Sequence, residues 1–480
     1  MSWSRREVLG ALGGGAAATI LWGCGGGRAR VVSAGNEEEA GVRHWLRDAV
    51  ARLAGGFASA SALAAIRAHT VATADAGGRS IRGERVQSLV LAARDAAGRR
   101  FERVIADLSA TAIDAAVDAM LAGRAVAPWR GSFKAPSDAP FGGDDPARAR
   151  DDEWTGRAGE LYARAEAAGS SRVVYRAGYV EVDDASIWFA GSDGADRFQR
   201  LVRGRAGAIF VAWSGSRPSS GVAESAGAMG PAASNAVGDA DIDAAAARAL
   251  ELMTPGAAPD GDFAIVIDPS VAAATAEAGV ADVMTAEAWR RADLGARASW
   301  RAAETLTIAD DPSAASYGGY AFADDGSIAA RSVLVDRGAP GAPLAAARRA
   351  GFAGPARAGA AHVVIDPGDK SLEELQKLVG SGLLVEDAGV ARVDPIAWEI
   401  VVPIGRARRL DGGKRTGHVF ADLELRATVP ALLGGVIGVG AEARAFARRI
   451  ELEGEPTWRS SSAPHLATRA RIAPRSRRSA

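Results

Sequence analysis

A single cysteine and five histidines stand in a chain of 480 residues. One thiol excludes an intramolecular disulfide framework and any cysteine-rich zinc or iron–sulfur module. An all-histidine metal site would need most of those five imidazoles to converge. Lysine is almost absent: Lys134, Lys370, Lys377 and Lys414 are the whole complement, so nearly all positive charge is arginine. Together with abundant alanine and glycine, this reads as a coding bias rather than a function. An excess of one charge is missing as well. The 57 basic and 58 acidic residues leave a net charge of −1, and no global field draws nucleic acid. With 48% hydrophobic and 24% charged residues, the chain is neither disordered nor unusually polar. Its length suits roughly two to four domains.

Long apolar runs are missing too. The longest at the N-terminus, Ala11 to Trp22, has 12 residues, against the roughly 20 that a spanning helix needs. A charged start, a short apolar stretch and a small residue before Cys24 make a secretory signal. Arg5-Arg6 resemble the twin-arginine export signal, with Val8 where phenylalanine is commonest. Leu21-Trp22-Gly23-Cys24 resembles a bacterial lipobox, which implies acylation of the Cys24 thiol. More than one acyl chain would make that attachment stable. The expectation is an exported, membrane-anchored lipoprotein on the periplasmic side. The alternatives are a secreted or soluble periplasmic protein, or a cytoplasmic chain with a coincidental cysteine.

The remaining chain divides into a tether (25–40), an N-terminal domain (41–255), a C-terminal domain (256–475) and a basic tail (476–480). Residues 44–53 have helical apolar spacing, ended by Gly55-Gly56. Strand-like runs follow near Ile66–Val71, Val86–Ala92 and Arg100–Leu108. Ser109 caps a helix with Ile113, Ala116, Met120 and Leu121 on its apolar face. Residues 124–152 read as a loop, 153–168 as a helix, 173–182 and 208–213 as strands. The Gly/Ser/Ala-rich stretch 214–240 reads as structurally weak. Ile242–Leu252 is helical, and 255–262 links the halves.

The second half opens with the buried strand Phe263–Ile267, then a helix over 270–289 loosened near Gly279. Further segments at 305–308, 317–322, 331–335 and 363–365 precede a helix capped by Ser371, with Glu374 at the capping-box position. From Val390 onward the pattern alternates as strands do, and the last dozen residues read as frayed. Strand dominance predicts an α+β fold of two domains: a mixed domain with antiparallel strands, then a mostly antiparallel β domain.

The ordered segments Ile265–Pro269 plus helix, Thr307–Asp311, Asp324-Asp325-Gly326-Ser327 and Arg331–Gly338 resemble the TldD/PmbA (TldE) family of metallopeptidase-related proteins. Ser186–Gly194 and Asp107-Leu108-Ser109 fit more weakly, and the likeness covers roughly residues 40–475. That resemblance implies a His-Glu-x-x-x-His helix after the opening strand, with a cysteine-bearing segment near the C-terminus. Two imidazoles would hold zinc, and the glutamate would take a proton from the zinc-bound water. This sequence departs from the pattern. Ala276 and Ala281 stand at the histidine positions, residues 265–300 contain no histidine, and Gly434–Gly440 has no thiol. Glu277 alone survives, as a vestigial base, a substrate contact or a solvated helix charge, the last being the favoured expectation.

Other arrangements carry less. No two histidines have the spacing of one helix face. A long-range site of His362 and His418 with Asp366 or Asp422 would need the fold to assemble it. Asp310-Asp311 and Asp324-Asp325 could bind calcium, although such pairs commonly bond their own turns. Trp213–Ser216 and Gly230–Asn235 lack the strand-to-helix elbow of a serine hydrolase. Gly434–Gly440 lacks the ending of a P-loop and reads as a tight strand turn. Arg469, Arg471, Arg475, Arg477 and Arg478 could touch anionic lipid or simply be solvated.

By resemblance, then, the chain is expected to be a non-catalytic subunit without metal or cofactor. It would pair with a zinc-bearing TldD-like subunit or with itself, and would handle peptide rather than nucleic acid. The alternatives are a stand-alone peptide-binding lipoprotein, or an active metallopeptidase with a non-canonical metal site.

Overall fold

The computed structural model describes residues 36–140, 150–214, 217–285, 289, 300–344, 360–452 and 455–475. Cys24, Arg5 and Arg6 lie outside the described residues, as does the 476–480 tail.

The first half is one sheet under helices. Its strands are β1 (Ser59–Asp75), β2 (Gly78–Arg94), β3 (Arg100–Ile105), β4 (Ser137–Ala139), β5 (Val173–Gly191), β6 (Asp196–Ser214) and β7 (Arg217–Gly227), in the order β3-β2-β1-β5-β6 with β4 and β7 both paired to β6. All pairings are antiparallel except β4 with β6. Alternation along the strands makes the two faces different. One face is apolar. Ala62, Ala64, Leu89, Leu91 and Trp188 lie under α1 (Asn36–Gly56) and α2 (Ala110–Leu121). Val180, Val182, Val202 and Ala206 lie under α3 (Asp151–Ala168) and α4 (Asp239–Glu251). The opposite face carries Arg67 and His69 on β1, Glu181 and Asp183 on β5, and Arg203 and Arg205 on β6. Register sets His69 opposite Asp183, Asp183 opposite Arg203, and Glu181 opposite Arg205.

The second half is a mixed sheet of β8 (Gly261–Ile267), β9 (Ile308–Asp310), β10 (Ser332–Asp336), β11 (Ala339–Pro340), β12 (His362–Ile365), β13 (Gly382–Ala388), β14 (Arg392–Asp394), β15 (Glu399–Asp411), β16 (Lys414–Thr428), β17 (Gly438–Leu452) and β18 (Glu455–Pro474). The pairings β8–β13–β15–β16–β18–β8 close on themselves. β13 runs parallel to β8, and β12 parallel to β18. Helix α5 (Pro269–Thr275) and the π turn Ala276–Ala281 are enclosed by this sheet, and every residue from Val271 to Ala281 is buried. A helix apolar on nearly all sides is what such a position requires.

The α+β expectation holds, as do the Ser109 cap, the Ser371–Glu374 capping box and the loosening near Gly279. Three local readings change. Helix α1 starts at Asn36, inside the stretch read as a tether. Residues 217–227 form β7, because small residues let it approach α4: a Cβ on Gly221 would lie 1.9 Å from the Ala245 carbonyl oxygen. Tyr317–Phe322, to which the sequence assigns no element, is an embedded loop. Arg469 and Arg471, read as frayed, belong to β18, with backbones paired to β8.

Candidate functional site

The helix where the sequence predicts a degenerate metal motif is set by its first turn. Asp268 caps α5: its Oδ1 accepts from Val271 N at 2.9 Å and from Ser270 Oγ at 2.7 Å. Pro269 suits the first helical position, where no donor is needed. After Thr275 the backbone widens, and Asp282 N donates to Glu277 O at 2.9 Å, an i→i+5 bond. Such a turn stacks residues five apart, the separation of Ala276 and Ala281. Both alanines are fully buried. The widened turn also frees the Gly279 carbonyl, which accepts from Trp398 Nε1 at 2.7 Å.

Glu277 is not a solvated charge: it is 5% exposed. Its Oε2 lies 3.9 Å from Arg448 Nη1, and its Oε1 has no hydrogen-bond partner among the described residues. Arg448 and Arg459 are opposite each other in the β17–β18 hairpin. Arg459 Nη1 donates to Asp282 Oδ2 at 2.9 Å. Burial works against the Arg459 charge, but Asp282, then Glu277 and Asp310, outweigh it and raise its pKa. Positive charge therefore reaches this carboxylate from guanidinium groups.

The other predicted residues do not gather into a site. His362 is buried, with Nδ1 2.8 Å from Ser460 Oγ, and burial lowers its pKa against the pull of Asp311 and Glu277. His418 is exposed, and Asp366 pairs with Arg331 at 2.9 Å. Asp310 Oδ1 accepts the backbone N–H groups of Ala361 and His362, while Asp325 bonds the Ser327 backbone and hydroxyl. Both acidic pairs thus have structural uses. The Asp324-Asp325-Gly326 turn also meets the first half. Gly326 has φ +79°, and a Cβ there would lie 2.2 Å from the Phe189 ring.

The strongest convergence was not read from sequence. His69, Glu181 and Asp183 bring one ligand atom each within 4.8 Å of one another, the one such trio among the described residues. Asp183 Oδ1 is 2.9 Å from His69 Nδ1, and Asp183 Oδ2 accepts from Trp458 Nε1 at 2.7 Å. Glu181 Oε2 accepts from Arg205 Nε at 3.1 Å and from Nη2 at 2.6 Å. Arg203 donates to the Tyr317 and Gly319 carbonyls and, with Arg67, lies over the Trp458 ring. Burial lowers the Arg203 pKa to about 10. Three buried or half-buried carboxylates (Glu181, Asp183, Glu224) face four guanidiniums (Arg67, Arg203, Arg205, Arg449). The donor types suit a divalent cation, but the surrounding positive charge opposes one. A sequence signal existed: Glu181-Val182-Asp183 and Arg203-Gly204-Arg205 set charges two apart, hence on one strand face.

Comparison with known proteins adds the family. Residues 260–470 match the model described as the PmbA/TldA metallopeptidase C-terminal domain. No curated protein matches the chain. Among solved structures, one from Bacteroides thetaiotaomicron, described as a candidate modulator of DNA gyrase, is 15% identical with a TM-score of 0.70, covering 92% of this chain and 99% of its own. A similarly described protein of Thermotoga maritima is 13% identical, with a TM-score of 0.69 and coverage of 91% and 99%. TldE from Thermococcus kodakarensis is 16% identical, with a TM-score of 0.61 and the same coverage. At these identities the likeness is one of fold.

Proposed function

From the premise that this chain belongs to the PmbA/TldD family through its C-terminal domain, we propose that it is a metal-less partner subunit of a peptidase assembly. The observation that carries the reading is the interior of the π turn. Ala276 and Ala281 are sealed in the core, and Glu277 has Arg448 as its nearest charged partner. A glutamate needs an acidified water to act on, and zinc would lower that water's pKa to about 7. Alanine supplies no ligand for such an ion. A guanidinium offers charge but no vacant coordination site for water. Glu277 is thus a charge held within the fold, and cutting falls to a separate zinc-bearing chain. In this reading the present chain shapes the chamber or holds an extended peptide. Attachment through Cys24 would keep the assembly at a membrane surface.

Native mass spectrometry of the chain isolated with its companions from its own host membrane tests this. A heavier complex containing a zinc-bearing second chain is the expected result. A metal-free monomer or homodimer that binds peptide would overturn it in favour of a stand-alone binding lipoprotein. Stoichiometric metal with hydrolysis by this chain alone would overturn it in favour of a peptidase with a different metal site. The mass of the N-terminal fragment reads separately whether Cys24 carries lipid.

A further inference from the structure

The polar seam between the halves holds an imidazole, His69, set between two carboxylates. Both nitrogens of His69 face carboxylate oxygens: Nδ1 is 2.9 Å from Asp183 Oδ1, and Nε2 is 3.8 Å from Glu181 Oε1. A neutral imidazole offers one donor and one acceptor, whereas the imidazolium offers two donors. Only the charged ring suits both neighbours. The far oxygens of the two carboxylates are held from behind, Asp183 by Trp458 of the second half and Glu181 by Arg205. The ring therefore shares a carboxylate with the opposite half.

We infer that His69 is a proton-operated latch between the two halves of the molecule. With the proton on, Asp183 is clamped between His69 and Trp458, and the β17–β18 hairpin is held against the face of the first sheet. With the proton off, one ring nitrogen turns a lone pair toward a carboxylate, and the shared contact weakens.

The groups around the ring set the direction. Arg449 Nε of β17 is 3.9 Å from Asp183 Oδ1. Arg67 is on the same strand, Arg203 and Arg205 are on β6, and Glu224 of β7 lies 3.8 Å from Arg205. Glu84 of β2 is directly opposite His69. Tyr179 donates to Glu224, and Tyr317 from the second half has a buried hydroxyl without a partner among the described residues. Burial and Arg449 oppose the His69 charge, but the Asp183 hydrogen bond, then the charges of Asp183 and Glu181, outweigh them and raise its pKa above 6.5. A raised histidine pKa means stabilisation that is complete below 6.5 and fades as pH climbs through the folded-state value.

Hydrogen exchange on the full chain, corrected for the intrinsic pH dependence of exchange, tests the latch. Peptides covering residues 317–322 and the β17–β18 hairpin should lose protection roughly tenfold between about pH 6 and about pH 8.5. His69→Gln should show the unprotected level at both pH values. His69→Arg, a permanent cation, should show the protected level at both, which keeps the test decisive if the glutamine variant folds poorly. A wild-type seam with no step, or a step that persists in His69→Arg, would overturn the latch. Stoichiometric zinc retained in native mass spectra of wild type and lost in His69→Gln would also overturn it, because a metal would then be the cation that the cluster takes up.

Discussion

Trp458 Nε1 donates to Asp183 Oδ2 across 2.7 Å, joining β18 of the second half to β5 of the first. The indole also lies beneath two guanidiniums, with Arg67 at 5.1 Å and Arg203 at 4.9 Å from its ring. One side chain thus gives the seam both a donor for a buried carboxylate and an aromatic face for buried cations. That combination lets so many charges sit away from water.

Trp458→Phe removes the donor and keeps a smaller aromatic face. An aromatic ring remains beneath the cations, but the N–H goes together with the fused pyrrole, leaving one oxygen of a buried carboxylate short of a donor. Such a loss costs about 1–3 kcal/mol. Urea denaturation should show a lower midpoint of that size. An unchanged midpoint would mean that the bond carries no net energy.

Glu277→Gln tests the idle carboxylate. In a zinc subunit, removing a general base lowers the rate by about 10²–10⁴-fold. In the proposed metal-less subunit the side chain has no metal-bound water to act on. Hydrolysis of an unfolded peptide by the assembled complex should change by less than about twofold. A fall of a hundredfold or more would return Glu277 to the reaction.

How much of this could be read in advance depended on what kind of signal each segment carries. Capped helices were legible, because Ser109 and Ser371 mark their starts chemically. The strand Phe263–Ile267 was legible from five consecutive apolar or β-branched residues. Strand β7 was not, since Arg217–Gly227 is nearly all small residues, and its pairing comes from close packing on α4. Arg469 and Arg471 read as tail charges until β8 claimed their backbones. The helix carrying Ala276, Glu277 and Ala281 was legible, yet the burial of Glu277 was not. Sequence shows a lone carboxylate on a helix, whereas its enclosure depends on a hairpin more than 150 residues later. The ionic seam was hidden for a related reason. Charges two apart on a strand suggest a solvated face, and the Tyr317–Phe322 loop with β17 and β18 turns that face inward.

Placing imidazoles at the two alanines that the resemblance aligns with the family's histidines tests whether this interior can take a metal. Ala276→His with Ala281→His places two large side chains at positions that are fully buried. Gly279 between them is already so tight that a Cβ would lie 2.8 Å from Val429 Cγ2. Overpacking of this kind costs about 1–3 kcal/mol per site. The double variant should melt several degrees lower, with no recovery on adding zinc. A zinc-dependent rise in its melting temperature would show that the cavity still accepts the metal.

The acid limb of stability should reflect two groups that pull in opposite directions. Burial raises Asp268 to about 6, against the bonds it accepts from Ser270 and Val271. Its folded pKa exceeds the unfolded one, so the native state binds the extra proton, and stability rises as pH falls from about 6 toward 3.8. Burial, then Arg444 and Arg415, lowers His465 to about 4. There the unfolded state binds the extra proton, and stability falls as pH drops from 6.5 toward 4. At 1.36 kcal/mol per unit, the Asp268 effect is on the order of 2–3 kcal/mol. His465 keeps some access to solvent, so its share is about 1 kcal/mol after screening. Asp268→Asn, which can still cap the helix, should gain about 1–2 kcal/mol above pH 6 and lose the stabilising limb below it. His465→Gln should flatten the acid loss and leave stability near pH 8 unchanged. Urea midpoints measured from about pH 4 to about pH 8 for wild type and both variants would read the two limbs separately. If Asp268→Asn were destabilised equally at every pH, the cap geometry rather than the buried charge would govern this position.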